Sequence, residues 1–334
     1  MHVLVIGGTG VIGSGVVSHL TARGASVTTF SRGRRPHAQP ESVRQVRGDR
    51  RAVNGFRDLP EEIRFDAVVD LTCYTPRDAE LTVRTFAGKC EHVLFCSTVC
   101  VYGPKTPPRI LVSEDDTPTP ITEYGRDKLS CEQVFREAAE QRRFAVTIIR
   151  PSHTYGAGGP MLDQLEVDGV AWDRVERGLP VFCSGDGLGL WQSTHRDDVG
   201  KLFAHAALNR KTYGETYNAT RDETLSWRDY HREVAAALGR TARLIFAPAA
   251  WLLRSLPGRL GFLQEITQFH GAYDSSKARA HVPAFRPTIA LRDGARETLT
   301  SLKSRGVWRD SANDRAYDAA VASALDLGFE SAEA

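Results

Sequence analysis

Short apolar runs and amphipathic stretches alternate along the first half of the chain. His2-Val-Leu-Val-Ile6 is an apolar run of strand length, and Val16, Val17 and Leu20 follow it at helical spacing. Residues 26–30 and 65–72 read as strands, 77–86 as a helix, 92–98 as a strand, 122–141 as a helix and 145–151 as a strand. Runs with no polar face belong to strands buried on both sides. The alternation predicts an α/β fold, a doubly wound parallel sheet with helices on both faces. Ligands of such sheets sit at the carboxyl ends of the strands. After Pro151 the pattern loosens: residues 197–208, 226–238 and 289–304 read as helices, with a short strand near Tyr217.

The first strand runs straight into Gly7-Gly-Thr-Gly10-Val-Ile-Gly13 and then the helix. Gly7 suits a tight turn, Gly10 lets the backbone approach a pyrophosphate, and Gly13 allows close helix–strand packing. The helix N-terminus offers unpaired N–H groups to phosphates. The spacing is G-x-x-G-x-x-G rather than G-x-G-x-x-G. We therefore expect a dinucleotide-binding domain at 1–160 with about 190–215. A smaller, discontinuous substrate domain is expected at about 161–189 and 216–305, and 306–334 as a C-terminal appendage.

Tyr124-Gly-Arg-Asp-Lys128 places a phenol and an ammonium one turn apart on one helix face. A free Tyr, with a pKa of about 10, is a weak base at neutral pH. A neighbouring Lys⁺ favours the phenolate and brings it toward the working range. Such a pair can take a proton from an alcohol or give one to a carbonyl. The same spacing also suits a solvated helix face.

Composition narrows the class. The 334 residues are 41% hydrophobic and 25% charged with a net charge of +2, as in ordinary globular proteins and unlike nucleic-acid binders. Cys73, Cys90, Cys96, Cys100, Cys131 and Cys183 show no C-x-x-C and no metal-type spacing, and read as reduced thiols. The first strand starts at the second residue, and the longest apolar stretch, 244–253, is too short for a bilayer. A cytoplasmic chain with no membrane partner and no bound metal is expected.

Five motifs occur in a telling order: the glycine turn, Cys96-Ser-Thr-Val-Cys-Val-Tyr-Gly103, Tyr124-x-x-x-Lys128, Arg150-Pro151 and Thr194-His-Arg-Asp-Asp-Val199. With them the chain resembles the extended short-chain dehydrogenase/reductases, and more narrowly the NAD(P)-dependent epimerase/dehydratase family. Asp274-Ser-Ser-Lys-Ala278 is similar to that family's C-terminal signature, so the resemblance covers about residues 1–305. It implies a triad of Thr98, Tyr124 and Lys128, with Thr98 four residues before Tyr102. Thr98 would hold the reacting oxygen, Tyr124 would move the proton, and Lys128 would tune Tyr124 and anchor the ribose. The implied cofactor contacts are Gly7, Gly10, Val11, Ile12, Gly13, Ser31, Arg32, Asp49, Arg50, Leu71, Thr72, Pro151 and His153, besides Tyr124 and Lys128. The implied substrate contacts are Tyr74, Thr98, Cys100, His153 and Trp191.

Phe30-Ser31-Arg32-Gly33-Arg34-Arg35 lacks the carboxylate of NAD-preferring relatives and carries three arginines. NADP is favoured over NAD, because Arg pairs bidentately with a 2′-phosphate. A solvated basic loop has the same composition. Asp49 matches the position that meets the adenine. Val99 and Cys100 replace the Asp-Glu of the dehydratases. Cys100 stands where epimerase-reductases related to GDP-fucose synthase use a thiol in proton transfer, although their partner His is missing and a small filler residue suits the place equally.

Trp191 occupies the place of an Arg that holds a nucleoside diphosphate in relatives, and no Arg stands just before Asp274. His153 replaces an Asn. These departures point to a sugar-like substrate without a nucleoside diphosphate. Three functions remain open: an epimerase, a plain NADPH-dependent ketoreductase, and a non-catalytic NADP- or RNA-binding member suggested by Gly48-Asp-Arg-Arg51. The family's dimers pack through the Y-x-x-x-K helix, so a homodimer with Leu129, Val134 and Phe135 in its face is a further expectation, although an intrachain core would use the same residues.

Overall fold

The protein is described here by a computed structural model covering residues 1–34, 39–53, 55–59, 64–104 and 110–334. Its first compact unit comprises Met1–Thr154, Thr194–Asp222 and Tyr273–Thr288. Six strands of this unit are β1 (His2–Ile6), β2 (Ser26–Ser31), β3 (Arg44–Arg47), β4 (Ala67–Asp70), β5 (His92–Cys96) and β6 (Ala145–Pro151). With strand Thr216–Ala219 they make a seven-stranded sheet. From one edge the order is Thr216–Ala219, β6, β5, β4, β1, β2, β3, and every pair is parallel. The alternation of apolar runs and amphipathic helices anticipated this sheet.

Burial on both faces explains the unbroken apolar runs. In β1, Val3 and Val5 pack with Val16, Val17, Leu20, Leu202 and Phe203 on one face. Leu4 and Ile6 pack on the other face with Phe95, Phe86, Cys131 and Phe135. Each such aliphatic or aromatic side chain, taken fully from water, contributes about 1.5–3 kcal/mol. The helices start where local chemistry dictates. Thr75 caps α2 (Pro76–Phe86) in a capping box with Asp78. Thr122 caps α3 (Glu123–Glu140), its hydroxyl accepting from the Gly125 N–H at 2.9 Å.

Helix α1 (Val11–Ala22) and helix Arg196–Ala206 meet through glycines. A Cβ on Gly15 would stand 2.5 Å from the Arg196 oxygen, and one on Gly200 would stand 2.4 Å from the Gly15 carbonyl carbon. Backbone lies on both sides, so no side chain can yield.

The strand near Tyr217 was expected in the substrate unit, but it pairs with β6 as the sheet's edge. Residues 273–288 also fold with the first unit, placing Ala278, Val282 and Phe285 in its core. Both departures are long-range pairings that no local period encodes.

The second unit comprises Tyr155–Ser193, Glu223–Ala272 and Ile289–Ala334. It holds a three-stranded sheet of Val181–Ser184, Arg243–Ala247 and Ser331–Glu333. Residues 306–334, expected as an appendage, are built into it. Helix Arg315–Asp326 buries Tyr317, Ala320, Val321 and Ala324, which fall at i, i+3, i+4 and i+7. Strand Ser331–Glu333 pairs antiparallel with Arg243–Ala247. Among the described residues no helix is long and apolar enough to cross a membrane, and no cluster of three or more His, Cys, Asp or Glu could hold a metal ion.

Two predictions follow from packing and burial. Gly200→Ala should destabilise the protein by about 1–3 kcal/mol, the usual cost of overpacking. Gly261→Ala, whose Cβ would meet open space, should not. Urea unfolding of the two variants checks this. The second concerns His92, which is fully buried, with Nδ1 accepting from the Leu208 N–H at 3.1 Å and Nε2 2.8 Å from Thr147 Oγ1. Burial lowers its pKa from 6.5 to about 3. A depressed imidazole leaves the unfolded chain binding more protons between these values, so its contribution is complete above about pH 6.5 and is lost as pH falls toward 3. Asp163, raised to about 7 by burial, acts in the opposite sense. His92→Gln should therefore flatten the acid-side fall in stability between pH 6.5 and 5, by up to about 1.4 kcal/mol per pH unit. Equal slopes for variant and wild type would contradict the assignment.

Candidate active site

The sheet order reverses between β1 and β4, which opens a crevice at their carboxyl ends. The glycine turn lines it. Gly7 has φ +89° and its N–H donates to the Phe30 oxygen at 2.9 Å. A Cβ on Gly13 would lie 2.2 Å from the Gly7 oxygen, so only glycine permits this closeness of helix and turn. Gly10 precedes α1 without any side-chain cap, leaving the first-turn N–H groups directed at the crevice. Val11 and Ile12 form that first turn.

A cavity of about 250 Å³ adjoins this turn, walled by Gly7, Gly10, Ser31, Arg32, Arg34, Asp49, Arg50, Thr72 and Tyr74 among others. An uncapped helix start, a glycine cradle and exposed cations on the far wall fit a nicotinamide dinucleotide. Arg32 and Arg34 are exposed, and Arg35 lies outside the described residues. Asp49 accepts the Arg51 N–H at 3.0 Å. Leu71 and Thr72 follow β4, and the Thr72 N–H donates to Asp70 at 3.2 Å.

Arg50 borders the cavity but commits its guanidinium to the fold. It donates to both Asp70 oxygens at 2.7 and 2.9 Å, to the Asp78 carbonyl at 2.5 Å and to Thr82 Oγ1 at 2.6 Å. Asp70 is fully buried and needs this partner. Asp70 lies twenty residues from Arg50 in the chain, a pairing that local spacing does not display.

Three residues at the end of β5 face three turns of α3. Thr98 stands next to the Tyr124 phenol, and its hydroxyl caps the short 3-10 helix Val99–Val101 by accepting the Cys100 N–H at 3.2 Å. Lys128 is 1% exposed, and its ammonium donates to the Cys96 carbonyl at 2.6 Å and the Cys73 carbonyl at 2.7 Å. The Ser97 hydroxyl donates to Glu132 at 2.6 Å. Tyr74, expected at the substrate, borders the cavity beside the glycine turn, and Lys128 Nζ lies 4.9 Å from its ring centre.

Lys128 Nζ is 5.9 Å from the Tyr124 ring centre. As a whole residue Tyr124 is 43% exposed, yet burial of its polar end pushes the phenol above its ordinary range. Cys100, Cys96 and Tyr74 add to the rise, and the Thr98 hydrogen bond opposes it. The anticipated lowering toward the working range is outweighed by burial of the phenol. Burial likewise raises the Cys100 thiol, against a hydrogen bond from Thr98.

Pro151 ends β6 and is buried. His153, two residues on, is lowered by burial to about 3 and stays neutral. Trp191 belongs to the second unit, where it stacks on Trp227 at 4.9 Å and donates to Ser193 Oγ at 3.1 Å. Phe135 and Val134 pack in the core under α3, and Leu129 packs beside Val99 and Tyr102. These three side chains therefore serve the intrachain core. Sequence reasoning passed over Ser97 and Glu132, although Glu132 stands one turn beyond Lys128 and could have been found by that spacing.

The NAD dependent epimerase/dehydratase family model matches residues 3–220. The 2'-dehydrokanamycin reductase of Streptomyces kanamyceticus is 32% identical over 286 residues, covering 86% of this chain and 80% of that protein. Chloroplast stem-loop binding protein of 41 kDa b from Arabidopsis thaliana is 23% identical over 343 residues, covering 97% of this chain and 85% of that one. The solved structure of UDP-glucuronic acid 4-epimerase from Bacillus cereus in complex with NAD superposes with a TM-score of 0.72 at 21% identity, over 93% of this chain and 99% of that chain. At that identity the likeness is one of fold.

Proposed function

The chain is an enzyme of the NAD dependent epimerase/dehydratase family, and we propose that it is an NADPH-dependent reductase of a ketone on a sugar-like ring that carries no nucleoside diphosphate. The observation that carries this reading is the placing of Thr98 next to the Tyr124 phenol, with the buried Lys128 ammonium 5.9 Å from the Tyr124 ring centre and 4.9 Å from that of Tyr74, which lines the glycine-walled crevice.

Thr98 holds the carbonyl oxygen against the Tyr124 hydroxyl. A phenol raised above its ordinary range stays protonated, which suits an acid that gives its proton to an oxygen gaining charge. A bound reduced nicotinamide supplies the hydride to the carbonyl carbon. The proton given up by Tyr124 is returned from solvent between turnovers. Lys128 anchors the ribose and places its charge near the developing phenolate.

Reduction is favoured over epimerisation by Cys100. Its raised thiol is a poor base for removing a proton from carbon. The identity to a reductase named for a dehydrokanamycin points the same way. The tryptophan at position 191 supplies no cation for a diphosphate. NADP is preferred because Arg32 and Arg34, at the end of β2, are exposed on the cavity wall and form no ion pair with a carboxylate among the described residues.

Purified protein given NADPH and 2'-dehydrokanamycin should consume one NADPH per ketone reduced and should leave UDP-glucose unepimerised. Cofactor-neutral conversion of UDP-glucose would overturn the reductase reading. Tyr124→Phe should lower turnover by about 10²–10⁴-fold with NADPH affinity nearly unchanged. Near wild-type turnover in that variant would end the assignment of Tyr124. Titration should show NADPH bound more tightly than NADH, and Arg34→Ala should weaken NADPH alone by roughly tenfold to a hundredfold, the worth of one charge-assisted hydrogen bond. Preference for NADH would refute the 2′-phosphate site.

A further inference from the structure

Residues 124, 128 and 132 occupy successive turns of one α3 face, and they meet three consecutive residues of the chain leaving β5: Thr98, Cys96 and Ser97. The third of these contacts has no part in the chemistry described above. Glu132 is 1% exposed and accepts the Ser97 hydroxyl at 2.6 Å. Its carboxylate is gripped bidentately by Arg150, Nε to Oε1 at 2.8 Å and Nη2 to Oε2 at 2.6 Å. Arg136 approaches the same carboxylate at 3.6 Å. The remaining Arg150 nitrogen, Nη1, donates to the Tyr102 hydroxyl at 2.9 Å, and that hydroxyl donates to Asn218 Oδ1 at 2.8 Å.

The segment held in this way is Ser97–Tyr102. Glu132 fixes the residue before Thr98, and Arg150 fixes the residue that closes the short helix Val99–Val101. A buried ion pair is weak support for stability, since apolar residues of equal volume commonly replace it without loss. What it supplies here is direction: two charge-assisted contacts that set the backbone on either side of the Thr98 hydroxyl.

We propose that Glu132, through Ser97 and locked by Arg150, is a positioning residue that sets the distance between the Thr98 and Tyr124 hydroxyls. The inference rests on the Thr98–Tyr124 reading given above. It explains why a carboxylate, a guanidinium and a serine are buried together next to Thr98 and two helical turns from Tyr124.

Ser97→Ala is the sharper probe. It removes the link between Glu132 and β5 and leaves the carboxylate satisfied by Arg150. A second variant, Glu132→Leu with Arg150→Met, removes the pair without leaving a lone buried charge. Both are studied as the NADPH-bound full chain, labelled with fluorotyrosine so that Tyr124 is read by fluorine NMR, its resonance identified by its loss in Tyr124→Phe. The expected result is a shifted or broadened Tyr124 resonance, with melting temperature and NADPH affinity of Ser97→Ala unchanged. With a ketone substrate, kcat should fall on the order of tenfold or more at constant KM, as for a small misplacement of reacting groups. A Tyr124 resonance identical to wild type in both variants overturns the proposal. So does a loss of activity in Ser97→Ala that tracks a loss of melting temperature or NADPH affinity. Because the resonance needs no substrate, failure to reduce any ketone would count against the reductase reading and leave this test standing.

Discussion

The Lys128 ammonium is the constraint on which the rest of the site depends. Its side chain is buried, and a buried charge is tolerated only when its protons are satisfied. The two carbonyls that satisfy it come from the loop after β4 and from the last residue of β5. One charge thus ties the third helix to two neighbouring strand ends. That tie also fixes Tyr124, which lies one helical turn from Lys128 on the same helix.

Around this point the fold divides its charges by burial. Arg50 and Arg150 are internal and bonded to carboxylates on neighbouring elements. Arg32 and Arg34 stand exposed at the end of β2, on the wall of the same cavity that Arg50 borders. Only cations left free of carboxylates can exchange water for a ligand's anion. The structural role of Arg50 and Arg150 is therefore fixed by where Asp70, Asp78 and Glu132 lie.

The proton inventory of the site has a consistent sense. Tyr124, Cys96 and Cys100 are all held in their protonated forms by burial, with Cys96 pushed up to about 11. A neutral phenol suits donation to a carbonyl oxygen, and neutral thiols are weak bases toward carbon. Lys128 moderates Cys96 while leaving Tyr124 to the influence of burial and Thr98.

The amino-acid order determined the parallel sheet, the glycine turn and the pairing of Tyr124 with Lys128. These rest on unbroken apolar runs, on a helical period of 3.6 and on the spacing of glycines, which a short window of the chain displays. Tertiary structure alone decided what those windows could not contain. It joined Thr216–Ala219 to the sheet and the last helix to the second unit's core. It stacked Trp191 on Trp227 and turned Arg50 inward to Asp70. It also raised the Tyr124 phenol, where spacing to Lys128 had suggested the reverse. Burial and the partner of a charge are properties of segments far apart in the chain, so they emerge only once the strands are side by side.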